Sequence, residues 1–246
     1  MLVSDEGLAI LSLLKIQSDV IGNSDDLSFD GDEMNLHMPQ DPESEAELKN
    51  LAAVPYQIVS PANNSSIIGI YQDSMLGSYQ FSRPNMRFSP RDAMNLLMMF
   101  NGVNENQLLE EVKKDGGITN FDVLSQIMPP LSMKYKTKAF KDDKDDPKTS
   151  NAIIEIKNGK YIRGQMDKSV MGARTKGLLQ RICNDFGNMA SAKFIDDLQN
   201  IITEYMKSSS FSVGISDLIS DERTKSEIIE VITKKKSDVK NLIDQV

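Results

Sequence analysis

The residues best suited to chemistry are crowded into one short stretch, Asp25-Asp26-Leu27-Ser28-Phe29-Asp30-Gly31-Asp32-Glu33. Asp30 and Asp32 stand two apart. In an extended segment, residues at i and i+2 point to the same side, so both carboxylates can converge on one hard cation. Gly31 between them lets the backbone turn without a Cβ clash. Two oxygen donors at this spacing suit Mg2+, which takes one or two carboxylates and completes its octahedron with water and phosphate oxygens. The same spacing also fits a solvated acidic turn. A calcium loop is a further reading, because Asp26-x-Ser28-x-Asp30-Gly31 has the opening of an EF-hand. The closing position of that loop requires a bidentate glutamate, yet it is His37. Pro39 and Pro42 also prevent the exiting helix from starting there.

Composition narrows the chemistry further. The 246 residues include one cysteine, Cys183, and one histidine, His37. A single cysteine makes no internal disulfide, and one Cys with one His cannot close a zinc site that needs four ligands. A Cys-His nucleophile would have to use the only copy of each. Any chemistry therefore runs on carboxylates. The 36 acidic residues outnumber the 28 basic ones, for a net charge of −8. That balance argues against a free-standing domain that coats nucleic acid. No apolar run reaches the roughly 18 residues of a membrane span, and Asp5 and Glu6 sit where a signal peptide would be positive. The sequence predicts an intracellular protein of one or two domains with a sizeable core.

The elements that must position this cluster are legible in outline. Residues 5–17 read as a helix and 23–32 as a loop. Ser44 with Glu47 has the form of a capping box, opening a short helix to about Ala52. Residues 54–60 and 66–72 read as strands across a PANNS turn. Ser89-Pro90 starts one helix, with Ser as cap and Pro at the first helical position. Asn104 caps another, which stops at Gly116-Gly117. The charged stretch 134–150 reads as a solvated loop. Residues 153–164 form a hairpin by pattern, turning at Asn158-Gly159. Helices follow at 175–186 and 190–207, the second placing Phe194, Leu198, Ile201, Ile202 and Tyr205 at helical spacing. Ile228, Ile232, Val239, Leu242 and Ile243 mark a C-terminal helix. The expected class is α+β. Cys183 falls in an apolar helical pattern and reads as core, and the 14 methionines read as adaptable core filler.

The longer string around the carboxylates is more specific. Phe29-Asp30-Gly31-Asp32-Glu33-Met34-Asn35-Leu36-His37-Met38-Pro39-Gln40 resembles the active-site signature of the largest subunit of multisubunit DNA-directed RNA polymerases, in its eukaryotic, archaeal and large-DNA-virus form. The resemblance continues in order. AVPYQIVSPANNSSIIGIYQDSMLG (53–77) looks like the pore segment after the signature. IIEIKNGKYIRGQMDKSVMG (153–172) looks like the hairpin that closes the pore domain, and FSVGISDLISD (211–221) looks like the start of the funnel. The resemblance therefore implies an unmatched segment at 1–25 and a metal-loop region at 26–52 on the edge of a partial active-site barrel. A mixed α/β pore domain at 53–172 and a helical start of the funnel at 173–246 would follow.

In that family an Asn-Ala-Asp-Phe-Asp-Gly-Asp loop holds the catalytic Mg2+ through three aspartates. The metal activates the RNA 3′-oxygen toward the α-phosphate of the incoming nucleotide. Asp30 and Asp32 match the second and third aspartates, so the resemblance makes them metal ligands and catalytic residues. Ser28 replaces the first aspartate, Asp26 the asparagine and Leu27 the alanine. Ser28 lowers the ligand set from three carboxylates to two, and a neutral hydroxyl is the weaker donor to a hard dication. Asn35 and His37 read as braces of the loop. The resemblance implies a piece of a large subunit, about one sixth of a typical one by domain accounting. Its partners would be other polymerase subunits or split pieces of the same subunit. DNA template, RNA and nucleoside triphosphates would meet it only inside that complex. A non-catalytic degenerate copy and a structural assembly module are the alternative readings.

Overall fold

The computed structural model describes residues 38–115, 117–138, 150–172 and 175–244. The expected helix at 5–17, the loop at 23–32 and residues 26–37 of the metal-loop region lie outside the described residues. The chain divides into two compact units, one ending at Ser208 and one beginning at Ser209.

Helix α1 spans Pro42–Glu47 and runs on as a π-helical turn over Leu48–Ala52. The helix extends to the expected end, but its cap is Asp41 and not Ser44. The Asp41 carboxylate accepts from the Ser44 amide at 2.7 Å and the Ser44 hydroxyl at 2.9 Å. Pro42 at the first helical position favours this earlier start, because it has no N–H to lose and φ is preset. The strand expected at 54–60 is mostly a 3-10 turn, Val54–Gln57, with Pro55 near its start. Only β1 (Val59–Ser60) and β2 (Ser65–Ser66) pair, antiparallel, across the predicted turn.

Helix α2, Gln72–Phe81, has no counterpart in the sequence reading. Its two serines and one glycine are poor helix formers, and Gly77 alone costs about 1 kcal/mol relative to Ala. Tertiary packing outweighs this. Phe81 is fully buried, worth about 2–3 kcal/mol. A Cβ at Gly77 would sit 2.5 Å from Ile202 Cγ2 and 2.9 Å from Met206 Cγ, so the glycine permits close approach to a later helix.

Strand β3 (Arg87–Phe88) pairs antiparallel with β4 (Ile118–Thr119). Between them lie α3 (Pro90–Leu96) and α4 (Glu105–Asp115). The expected caps hold: Ser89 Oγ accepts from the Asp92 amide at 3.2 Å, and Asn104 Oδ1 from the Gln107 amide at 3.2 Å. Helix α5, Asn120–Ile127, begins with a full capping box of Thr119 and Asp122.

A three-stranded antiparallel sheet follows, in the order β5 (Met133–Lys136), β6 (Ile153–Lys157), β7 (Lys160–Arg163). The hairpin turns where predicted, with Asn158 at φ 45° and Gly159 at φ 77°. Both positive angles are what a two-residue type I′ turn demands. Strand β5 corrects the reading of 134–150 as loop throughout. Lys134 and Lys136 face outward while Met133 and Tyr135 pack on the core, a half-buried strand whose polar face hides its alternation.

Three helices complete the first unit: α6 (Lys168–Met171), α7 (Leu178–Phe186) and α8 (Asn188–Ser209). Phe194, Leu198, Ile201, Ile202 and Tyr205 of α8 are all buried, as their spacing requires. Cys183 is buried too, with its Sγ 3.0 Å from Asn188 Oδ1, and burial raises its thiol pKa. The methionines divide. Met128, Met166 and Met171 fill the core, whereas Met38, Met94, Met98, Met99 and Met189 are exposed, so core filler describes only some of them. Among the described residues the strands form small antiparallel sheets and none closes into a barrel. The fold is α+β.

In the second unit, α9 (Ile215–Leu218) precedes α10 (Glu222–Asp244). Asp221 caps α10, and its hydrogen bonds from Thr224 hold its carboxyl below the usual range. Ile228, Ile232, Val239, Leu242 and Ile243 are exposed along this helix. No helix among the described residues is long and apolar enough to cross a membrane.

Candidate functional site

Asp26, Ser28, Asp30, Asp32, Asn35 and His37 all lie outside the described residues. The signature reaches the described chain only at Met38-Pro39-Gln40, which lead into α1. The next carboxylate, Asp41, is committed as a helix cap, and the Ser44 amide and hydroxyl lower its pKa. Among the described residues no group of three or more His, Cys, Asp or Glu is placed to hold a metal ion. The donors expected from the sequence are two carboxylates two residues apart, with a serine hydroxyl before them. By its chemistry such a set would suit Mg2+, supplying two negative charges.

The described structure brings together two motif segments roughly a hundred residues apart, 53–77 and 153–172. The Ile70 amide donates to the Met171 carbonyl at 3.1 Å. Just beyond, Gln165 Nε2 donates to the Tyr79 carbonyl at 2.8 Å, and the Met166 amide to Ser82 Oγ at 2.8 Å. Gln180 Nε2 reaches the Asn64 carbonyl at 2.9 Å, tying α7 to the β1–β2 turn. Asn120 Nδ2 donates to the carbonyls of Phe81 at 2.6 Å and Arg83 at 2.8 Å, closing the C-terminal end of α2. Asn120, Gln165 and Gln180 are buried, and a buried amide stripped of its partner would cost about 1–3 kcal/mol. The sequence reading does not single out these three as supports. Gln165 lies inside a quoted motif, but Asn120 carries no local signal, since its partners are about forty positions away.

Buried hydrogen bonds tie the end of the hairpin and the segment after it. Tyr161, fully buried, donates its hydroxyl to the Gly164 carbonyl at 2.8 Å, and burial pushes its phenol pKa up. Buried Asp167 accepts from the Lys138 amide at 2.9 Å and from the Ser169 amide at 2.9 Å, capping α6. Lys168 stands exposed at the start of α6, between Asp167 and Ser169.

The profile of "RNA polymerase Rpb1, domain 3" matches residues 57–218, about two thirds of the chain, and that of "RNA polymerase Rpb1, domain 2" matches residues 19–54. The chain belongs to the family of RNA polymerase largest subunits. Relatives come from three kinds of organism. The DNA-directed RNA polymerase II subunit RPB1-B of Trypanosoma brucei brucei is 29% identical over 214 residues, covering 87% of this chain and 12% of the relative. The DNA-directed RNA polymerase subunit 1 of Acanthamoeba polyphaga mimivirus is 31% identical over 211 residues, 85% of this chain and 13% of the relative. The DNA-directed RNA polymerase subunit Rpo1N of Methanococcus vannielii is 31% identical over 224 residues, 88% of this chain and 25% of the relative. The chain thus spans about one eighth to one quarter of the length of these largest subunits. The described fold from Gln57 to Leu218 is the part that the Rpb1 domain 3 profile covers.

One pH dependence arises within this domain. Arg163 Nε lies 2.9 Å from Glu155 Oε2, and Lys157 Nζ lies 3.2 Å from Glu155 Oε1. Arg163 first, then Lys157, lowers the Glu155 pKa below its ordinary 4.5. A depressed carboxylate stabilises the fold above its unfolded pKa, and the contribution is lost as pH falls through the folded value. Wild type is therefore expected to melt above Glu155→Gln at neutral pH, with the gap closing below about pH 4. Thermal melting across pH checks this, and a gap that widens on acidification would contradict it.

Proposed function

We propose that this chain works as part of a multisubunit DNA-directed RNA polymerase inside the cell. Residues 26–52 would carry the metal loop, 53–172 the pore through which nucleotides enter, and 173–246 the start of the funnel. Asp30 and Asp32 would hold Mg2+, and Mg2+ bound there would supply activation of the RNA 3′-oxygen toward the α-phosphate of the incoming nucleotide. The roles of the chain's own residues are simpler. Two carboxylates would bind the ion, Gly31 would let them converge, and the hydrogen-bonded segments from Ile70 to Gln180 would supply the packed body of the pore. The reading rests on one observation: the domain 2 and domain 3 matches run consecutively, 19–54 then 57–218, with the Asp30–Asp32 pair inside the first. Other polymerase subunits would be the partners, and DNA, RNA and nucleotides would be met only in the assembled complex.

The test is twofold. The purified chain alone is expected to incorporate no nucleotides, because it spans only 12–25% of the relatives' length. Template-directed RNA synthesis by a pure sample would contradict this. Added to an assembly that contains the remaining polymerase parts, it is expected to support Mg2+-dependent synthesis.

Ser28 favours the competing reading, a non-catalytic copy, since two carboxylates hold a dication less strongly than three. Ser28→Asp separates the two. A working loop is expected to gain roughly tenfold in Mg2+ affinity from the added ligand charge, read by metal titration of the assembled protein. Unchanged affinity would mark the loop as no working metal site.

A further inference from the structure

The sheet β5–β6–β7 sorts charge by face. Met133, Tyr135, Ile154, Ile156 and Tyr161 pack toward the core. The register sets Lys134 opposite Glu155, Lys136 opposite Ile153, Lys157 opposite Lys160 and Glu155 opposite Arg163. The alternation of side chains puts four lysines and one carboxylate on the outward face, and the register shift between Glu155 and Ile156 sets Arg163 opposite that carboxylate. This is a cationic surface on a chain of net charge −8. The single carboxylate is already engaged by Arg163 and Lys157. Lys160 Nζ lies 3.9 Å from Glu111 Oε1. Lys134 and Lys136 are exposed, and Lys134 acts on Glu155 across the strands by Coulomb attraction. Ile162, 39% exposed, and half-buried Ile153 give the same face an apolar component.

We propose that this outward sheet face docks an acidic polypeptide segment of a partner protein. Charge complementarity selects an anionic occupant, since complementary potentials steer encounter and fix register. The choice of polypeptide over nucleic acid follows from what the face lacks. Single-stranded nucleic acid is held by aromatic stacking over a basic groove, and both tyrosines of this sheet, Tyr135 and Tyr161, face the core. Its one arginine is occupied, with Nε on Glu155 and Nη1 3.4 Å from the Ser150 carbonyl. Exposed lysines beside isoleucines suit carboxylates spaced along an amphipathic peptide. The inference does not depend on the metal loop, and its test reads binding by this chain without any polymerase activity.

The test uses the full chain and a labelled short oligoglutamate, with a labelled oligouridylate of equal charge as comparison. Oligoglutamate is expected to bind in a salt-sensitive manner and more tightly than oligouridylate. Lys134→Thr/Lys136→Thr keeps strand propensity and is expected to weaken oligoglutamate binding roughly fivefold to tenfold. Lys134→Arg/Lys136→Arg should retain it, and Lys234→Thr/Lys236→Thr on α10 should leave it unchanged. If thermal melting shows the threonine pair to be unfolded, Lys157→Thr/Lys160→Thr at the other end of the face gives the same reading. Equal loss in the sheet and α10 variants would overturn the proposal as non-specific attraction. Preferential binding of oligouridylate would overturn it in favour of nucleic acid. Oligoglutamate binding that appears only after Asp142, Asp143, Asp145 and Asp146 are changed to asparagine would also overturn it, assigning the face to this chain's own acidic run.

Discussion

Replacing Asp30 or Asp32 by asparagine is expected to lower nucleotide incorporation by the assembled polymerase roughly 10³-fold or more. The reasoning is one of charge. A loop with three carboxylates tolerates the loss of one better than a loop with two, and Ser28 has already removed the first. Either substitution leaves a single charged donor for a hard dication, and the amide that replaces it is neutral. The loss should fall on kcat and on the Mg2+ concentration needed for half-maximal rate. The melting temperature is expected to stay that of wild type, which separates loss of the ion from loss of the fold. A rate assay over a Mg2+ titration checks it. A fall of less than tenfold in both variants would mean that other carboxylates carry the ion.

The second large effect concerns stability. Gly164→Ala is expected to destabilise the chain by about 3–5 kcal/mol, combining left-handed strain with overpacking. Gly164 has φ 102°, and a Cβ there would lie 2.6 Å from the Ile153 carbonyl oxygen and 2.7 Å from the Ile154 amide nitrogen. Those atoms are backbone of the central strand and cannot rotate away. Moving them would also disturb the adjoining Gln165 and Met166 contacts with α2. Gly187 is the matched control. Its φ is 88° and its ψ 171°, and a Cβ there would meet no heavy atom within 4 Å, so Gly187→Ala should cost about 1–3 kcal/mol of backbone strain with no overpacking. At roughly 2–4 °C per kcal/mol for a chain of this size, thermal melting should separate the variants by about 5 °C or more. Equal losses would mean that strain, not the close approach to β6, governs Gly164.

The contrast between what is legible in the sequence and what is not follows from the range of the interactions. Ser89-Pro90, Asn104 and Asn158-Gly159 can be read because cap and turn chemistry is settled within four residues. The buried stripe of α8 can be read because its apolar positions recur at helical spacing from Phe194 to Tyr205. Helix α2 cannot, because it owes its form to Phe81 burial and to the Gly77 approach to Ile202, more than a hundred residues away. Strand β5 is hidden by its own lysines, which make a half-buried strand look like a solvated loop. The Thr119–Asp122 capping box is local and legible in principle, yet the sequence reading does not include it. At α1 two local signals compete, and the Asp41-Pro42 start prevails over Ser44–Glu47. The candidate site is legible only as a signature: Asp30 and Asp32 are assigned from residue order, and the described fold begins just after them.

The most direct test of the central claim is native affinity capture of the tagged full chain from the cells that express it, followed by a template-directed RNA synthesis assay on the eluate. The account predicts co-purifying polymerase subunits and Mg2+-dependent incorporation that is lost with the Asp30→Asn/Asp32→Asn chain. A chain that is recovered intact, with no polymerase subunit bound and no template-directed synthesis in the eluate, would contradict it.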